Sequence, residues 1–124
     1  MSISGRVTRI LIIDDDTTLR AMIGFSLQGV GYEVVSAADG REGIEKCRAG
    51  PADLVVTDLY MQHQEGLETI QMLRKEFPGI PIIAMSGAVL ANTMLSIATK
   101  LGVARVLHKP FEFEELLKAI EETL

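Results

Sequence analysis

Residues 9–18 read RILIIDDDTT: a short apolar run, three consecutive carboxylates, then two threonines. Two like unit charges about 4 Å apart cost on the order of 1 kcal/mol in water and several times that near a protein surface. Asp14, Asp15 and Asp16 therefore repel one another, and no cation stands among them. The run before them has strand character. After them the apolar period changes: Leu19, Ile23 and Leu27 recur at helical spacing, closed by Gly29 and Gly31. The stretch reads as strand, polar turn, helix.

The same unit recurs along the chain. YEVV (32–35) suits a strand, and GREGIEKCRA (40–49) a short helix with Ile44 and Cys47 on one face, ended by Gly50-Pro51. LVVT (54–57) is a buried run stopping at Asp58, followed by Leu67, Ile70, Leu73 and Phe77 in a helix that runs to Pro78-Gly79. PIIAM (81–85) is a strand stopping at Ser86, followed by a helix through Leu90, Met94, Ile97 and Leu101, ended by Gly102. VARVL (103–107) stops at His108-Lys109-Pro110, and Phe113, Leu116, Leu117, Ile120 and Leu124 give the last helix.

Apolar strands alternating with helices imply a parallel sheet covered on both faces. A complete eight-fold barrel needs roughly 250 residues, and this chain has 124. The expected fold is α/β: a doubly wound, five-stranded parallel sheet of flavodoxin-like order 2-1-3-4-5 in three α/β/α layers. Its ligand site lies where strands 1 and 3 diverge, at their carboxyl ends.

Composition agrees. A content of 48% hydrophobic and 23% charged residues describes a globular domain, here residues 8–124, with residues 1–7 as a loose N-terminus. A net charge of −5 argues against direct nucleic-acid contact by this domain. The single Cys47 excludes an internal disulfide and fits a reducing compartment. The opening MSISGRVT is too short and polar for a signal peptide, and no apolar run approaches membrane-spanning length, so a cytoplasmic protein without membrane contact is expected.

In the proposed order, Asp14 and Asp15 leave strand 1 beside Asp58 at the end of strand 3, with Ser86 and Lys109 at the ends of strands 4 and 5. Asp16 or Thr17 suits the cap of the first helix, but a cap needs one such residue, which leaves Asp14 and Asp15 unexplained. Three clustered carboxylates need cations. Lys109 supplies one. A hard divalent ion with oxygen ligands is the natural second: Mg2+, with Mn2+ able to substitute. A carboxylate beside such an ion, a lysine and a hydroxyl can attack phosphorus and carry an acyl phosphate.

With these pieces in place, the sequence resembles the receiver domain of response regulators of two-component systems, in particular single-domain chemotaxis-type receivers. The resemblance covers about residues 8–124 and rests on LIIDDD (11–16), VVTDLYM (55–61) with Gly66 eight positions beyond Asp58, AMSGA (84–88) and LHKPF (107–111). It implies that Asp58 is the phosphoacceptor, served by a histidine kinase or phosphotransfer protein. It further implies that Asp15, Asp58 and the Tyr60 backbone carbonyl bind magnesium directly, and that Asp14 acts through water. Ser86 is then the switch hydroxyl and Lys109 the contact to the phosphoryl group, with a cis Lys109–Pro110 bond. The output would be a downstream protein or a linked domain acting through the helix 4–strand 5–helix 5 surface.

Departures from the family pattern are specific. Gln62 stands where a proline is usual. Tyr60 and Ala88 border the path of the hydrolytic water, so Tyr60 would shield the acyl phosphate. Val106 replaces the usual aromatic switch residue and has few side-chain rotamers. Two other functions compete: a receiver-fold interaction module that works without phosphorylation, and an aspartyl-phosphate enzyme acting on external esters. The latter would need a general acid near Asp58, where Tyr60 stands, and a cap domain. The sequence leaves open whether the domain stands alone or belongs to a larger regulator or hybrid kinase. His63 reads as a solvated loop residue and His108 as pointing away from the site; with Cys47 they have no zinc-ligand spacing, and Met22, Met72 and Met94 read as packing residues.

Overall fold

A computed structural model describes residues 7–59, 66–87 and 92–124, with residues 92–95 as backbone only. Five strands alternate with five helices: β1 (Arg9–Ile13), α1 (Thr17–Val30), β2 (Glu33–Ala37), α2 (Gly40–Ala49), β3 (Leu54–Asp58), α3 (Gly66–Glu76), β4 (Ile82–Ser86), α4 (Asn92–Lys100), β5 (Arg105–His108) and α5 (Phe113–Thr123). All pairings are parallel and the strand order is β2-β1-β3-β4-β5, as expected of a doubly wound flavodoxin-like sheet. Of the loose end expected over residues 1–7, only Val7 falls among the described residues, and it is exposed.

Strand side chains alternate between two cores. Leu11, Ile13, Val55, Ile82 and Ala84 pack with Ile44, Cys47, Ile70, Leu73 and Ala98, so α2, α3 and α4 cover this face. Ile10, Ile12, Leu54, Val56, Ile83 and Met85 pack with Ile23, Leu27, Leu116, Ala119 and Ile120 of α1 and α5. Each fully buried aliphatic side chain contributes roughly 1.5–3 kcal/mol of transfer free energy. That burial, rather than helix propensity, holds the short helices in place.

The helix ends follow local chemistry. Asp16 caps α1 by accepting the Leu19 N–H at 3.0 Å. At the other end Gly31, at φ 110°, donates to the Gln28 carbonyl while Tyr32 donates to that of Leu27. This Schellman closure needs the left-handed backbone that glycine adopts without strain. The same pair of bonds ends α4 at Gly102 and Val103, which delays β5 to Arg105 rather than 103. β2 extends to Ala37 instead of stopping at 35, because Ser36 and Ala37 go on pairing with Ile12 and Ile13.

Three packing expectations are corrected. Met22 is 63% exposed on the outer face of α1 and takes no part in the core. Among the described side chains of α4 the buried one is Ala98, while Ile97 is exposed, because the small side chain lets the helix sit close to the sheet. Leu124 lies beyond the last turn of α5 and is exposed. Met72 is also partly exposed, and the Met94 side chain lies outside the described residues.

Candidate functional site

Each strand that ends in the crevice delivers one polar residue where its apolar run stops. Asp14 follows β1 directly; its N–H continues the sheet ladder to the Ala37 carbonyl at 3.1 Å, and its carboxylate is fully buried. Asp58 is the last residue of β3 and nearly as buried. Ser86 ends β4, and its carbonyl accepts the Lys109 N–H at 2.7 Å, which joins the ends of β4 and β5. The peptide bond from Lys109 to Pro110 is cis, as the resemblance implied.

Lys109 crosses to the far side of the crevice. Its Nζ donates to Asp14 Oδ2 at 2.9 Å and to Asp58 Oδ2 at 3.0 Å. Burial acts to lower its pKa, but the hydrogen bonds and charges of Asp14 and Asp58 outweigh that and raise it above 10.5. Asp14 Oδ1 is engaged separately by the Asp16 N–H at 2.8 Å. Asp15 is exposed, yet one carboxylate oxygen from each of Asp14, Asp15 and Asp58 lies within 4.8 Å of the others.

The donor set fits a hard divalent cation. Three carboxylates and one ammonium leave two net negative charges, confined to oxygen ligands of the kind magnesium takes. Asp14 and Asp58 already share Lys109, so the outermost carboxylate, Asp15, is the one turned to solvent. Ser86 is brought to the neighbouring strand end, where its hydroxyl donates to the Gly87 carbonyl at 3.2 Å. The positions read from sequence as Tyr60, Met61, Gln62, His63 and Ala88 lie outside the described residues. His108 is exposed.

Two residues gained a role that sequence reading did not assign. A Cβ on Gly66 would lie 2.2 Å from the Asp58 carbonyl oxygen and 2.3 Å from Leu59 Cα. Gly66 also donates its N–H to the Leu59 carbonyl at 3.0 Å, so α3 starts in backbone contact with the phosphoacceptor candidate's own peptide. Its spacing from Asp58 was legible; the close approach that requires glycine was not. The second is Arg20, whose Nη1 donates to the Asp14 carbonyl at 2.5 Å. The available signal was a cation in the first turn of α1, which carries no acidic residue there.

A concavity of about 570 Å³ lies between α2 and α3, lined by residues including Arg41, Arg48, Glu68 and Met72. Its lining mixes acidic and basic side chains. No helix among the described residues is long and apolar enough to cross a membrane.

Comparison with known proteins agrees with this geometry. The chain is 32% identical over 121 residues to the transcriptional regulatory protein GlrR of Escherichia coli, an alignment covering 98% of this chain and 27% of that protein. It is 35% identical over 113 residues to hybrid signal transduction histidine kinase D of Dictyostelium discoideum, covering 90% of this chain and 7% of the kinase. The chain thus spans about a quarter or less of these relatives. Among solved structures, the chemotaxis protein CheY4 of Vibrio cholerae superposes with a TM-score of 0.89 at 30% identity, covering 96% of this chain and all of CheY4. A CheY-like receiver domain protein from Methanospirillum hungatei gives 0.90 at 30% identity, over 94% of this chain and 93% of its own. Residues 10–121 match the response regulator receiver domain family. With its 2-1-3-4-5 sheet and its acidic pocket of Asp14, Asp15 and Asp58 facing Lys109, the chain belongs to that family of two-component signalling domains.

Proposed function

We propose that the chain is a phosphoacceptor switch in which Asp58 takes a phosphoryl group from the phosphohistidine of a histidine kinase or phosphotransfer protein. One observation supports this most directly: a single ammonium, Lys109, bonds both buried carboxylates while a third stands within reach. In this reading an Asp58 carboxylate oxygen attacks phosphorus. A new O–P bond forms as the P–N bond to the donor imidazole breaks, and the imidazole keeps the electron pair. Lys109 pairs with the phosphoryl oxygens as its bond to Asp58 is relieved, and the Ser86 hydroxyl turns from Gly87 to donate to the same group.

Asp15 and Asp58, with the Tyr60 carbonyl, would hold Mg2+ or Mn2+ directly, and Asp14 would hold it through water. The ion would supply two positive charges against the phosphoryl oxygens. Asp58 is a signalling acceptor in this scheme, turning over only its own phosphorylation and dephosphorylation. The consequence is a population shift of the α4–β5–α5 surface toward a state that controls a downstream protein or a linked output domain. The name of GlrR, a transcriptional regulatory protein, suits the linked case. Direct nucleic-acid or membrane contact is not part of the proposal, and the cytoplasm is the proposed site of action.

The test is phosphorylation by a small donor. With magnesium and acetyl phosphate or phosphoramidate, the protein should gain the mass of one phosphoryl group, and Asp58→Asn should gain none. An unmodified wild type would instead favour an interaction module that works without phosphate.

A further inference from the structure

We propose that Arg20 is a positioning residue for the cation-binding carboxylates, fixing the peptide that joins Asp14 to Asp15; the inference rests on the reading of the crevice as a divalent-cation site.

The placement of Arg20 conflicts with its local surroundings. It is the fourth residue of α1, where the helix dipole favours an anion and disfavours a cation. Its side chain turns back past the helix start, and Nη1 donates to the Asp14 carbonyl. Its own N–H donates to the Asp16 carbonyl at 2.9 Å, and Asp16 in turn donates to Asp14 Oδ1 at 2.8 Å. With the cap bond from Leu19 N–H to Asp16 Oδ1, four bonds close the β1–α1 turn; the one that depends on the Arg20 side chain is that to the Asp14 carbonyl. The bond to the Asp14 carbonyl has a particular effect. That oxygen belongs to the peptide linking a carboxylate held by Lys109 to the exposed carboxylate of Asp15. Rotation of this peptide would swing Asp15 relative to Asp14 and Asp58, whose oxygens now lie within 4.8 Å of one another.

Two effects of Arg20 on cation binding have opposite signs. Its positive charge repels a divalent ion, so removing the charge would tighten binding. Its hydrogen bond holds the Asp14–Asp15 peptide, so removing the bond would loosen the ligand set and weaken binding. The charge sits on a side chain that is partly open to solvent, which screens it, whereas the hydrogen bond is made directly to the peptide between the two carboxylates. The positioning effect therefore dominates.

The experiment is magnesium titration by calorimetry of the wild type, Arg20→Met and Arg20→Lys, each first shown to be folded by circular dichroism. Outer residues that orient ligands typically change metal affinity about 10- to 100-fold, and Arg20→Met is expected at the low end, about tenfold weaker. Arg20→Lys, which keeps a donor and the charge but not the planar fork, should show a smaller loss. Wild-type or tighter affinity in Arg20→Met would overturn the proposal, because charge alone would then describe the residue. If Arg20→Met does not fold, Arg20→Lys carries the test, and wild-type affinity in that variant overturns it. A wild type that takes up no magnesium overturns the cation-site reading itself, and this inference with it. Equal binding by all three proteins overturns only the role of Arg20.

Discussion

β3 and β5 end at the same crevice but are held there by different forces. All five residues of β3 are buried, and the strand lies in the middle of the sheet. β5 is an edge strand: Arg105 and His108 are exposed, and Val106 and Leu107 are only partly buried. What β5 lacks in apolar burial it recovers at its carboxyl end, where Lys109 donates its N–H to Ser86 and its ammonium to Asp14 and Asp58. Asp58 thus ends a fully buried central strand, while β5 is anchored at its carboxyl end by charge. If Asp58 is phosphorylated as proposed, its change of charge would act on the Lys109 anchor of β5 rather than on the burial that holds β3. Under the proposed switch function, the element to move would be β5 rather than the core.

The largest effect expected from breaking this arrangement is that of Lys109→Met. Removing one partner of a buried ion pair typically costs 3–5 kcal/mol. The Lys109 side chain retains 23% exposure, so water reaches the carboxylates left behind, and a loss of about 3 kcal/mol is expected by urea unfolding. The pH dependence has a definite sign. Because the folded pKa of Lys109 is raised, its contribution is complete below 10.5 and disappears only as pH rises through the higher folded value. The gap between wild type and variant should stay constant from neutral pH to about 10.5 and then close as pH rises through the folded value. A variant as stable as the wild type at neutral pH would show that β5 is not anchored by charge.

Next in size is a matched pair of truncations. Val56 of β3 is fully buried and Val106 of β5 only partly so. Val56→Ala should cost about 2 kcal/mol, from the lost methyl groups plus the cavity they leave. Val106→Ala should cost about 1 kcal/mol or less, because water already reaches that site. Equal losses in denaturant titrations would mean that the edge strand is packed as firmly as the centre.

The contrast also explains which features could be read from the sequence. β1 and α2 match their expected bounds, 9–13 and 40–49, because an apolar run that stops at a carboxylate and a helix closed by Gly50 are local signals. The carboxylates and Lys109 could be placed together because each follows such a stop. Features set by long-range approach could not. The buried face of α4 falls on Ala98 rather than Ile97, since a small residue makes room for the sheet. The need for glycine at position 66 arises from the Asp58–Leu59 backbone. The bond from Arg20 depends on how the β1–α1 turn closes. Met22 follows a helical apolar spacing yet faces outward, because α1 has more apolar positions than the sheet can cover.

The smallest expected effect comes from a charge pair outside the crevice. Arg48 of α2 and Glu76 of α3 form a two-pronged ion pair, with one N–O distance of 2.7 Å, at the amino-end side of the sheet. The hydrogen bond from Arg48 lowers the Glu76 pKa below 4.5; slight desolvation opposes the shift and the Arg48 charge adds to it. A lowered carboxylate pKa contributes stability above the unfolded value and loses it as pH falls through the folded one. Glu76→Gln should therefore leave unfolding at neutral pH close to that of the wild type, as exposed pairs usually do. Below pH 4.5 the two proteins should converge. Thermal melts at neutral and acidic pH measure both points. Lys109 is the opposite case: it faces two buried carboxylates and its limb lies on the alkaline side. If Glu76→Gln proved as damaging as Lys109→Met, the division between a charge-anchored crevice and a burial-held remainder would fail, because surface charge would then hold the sheet at both ends.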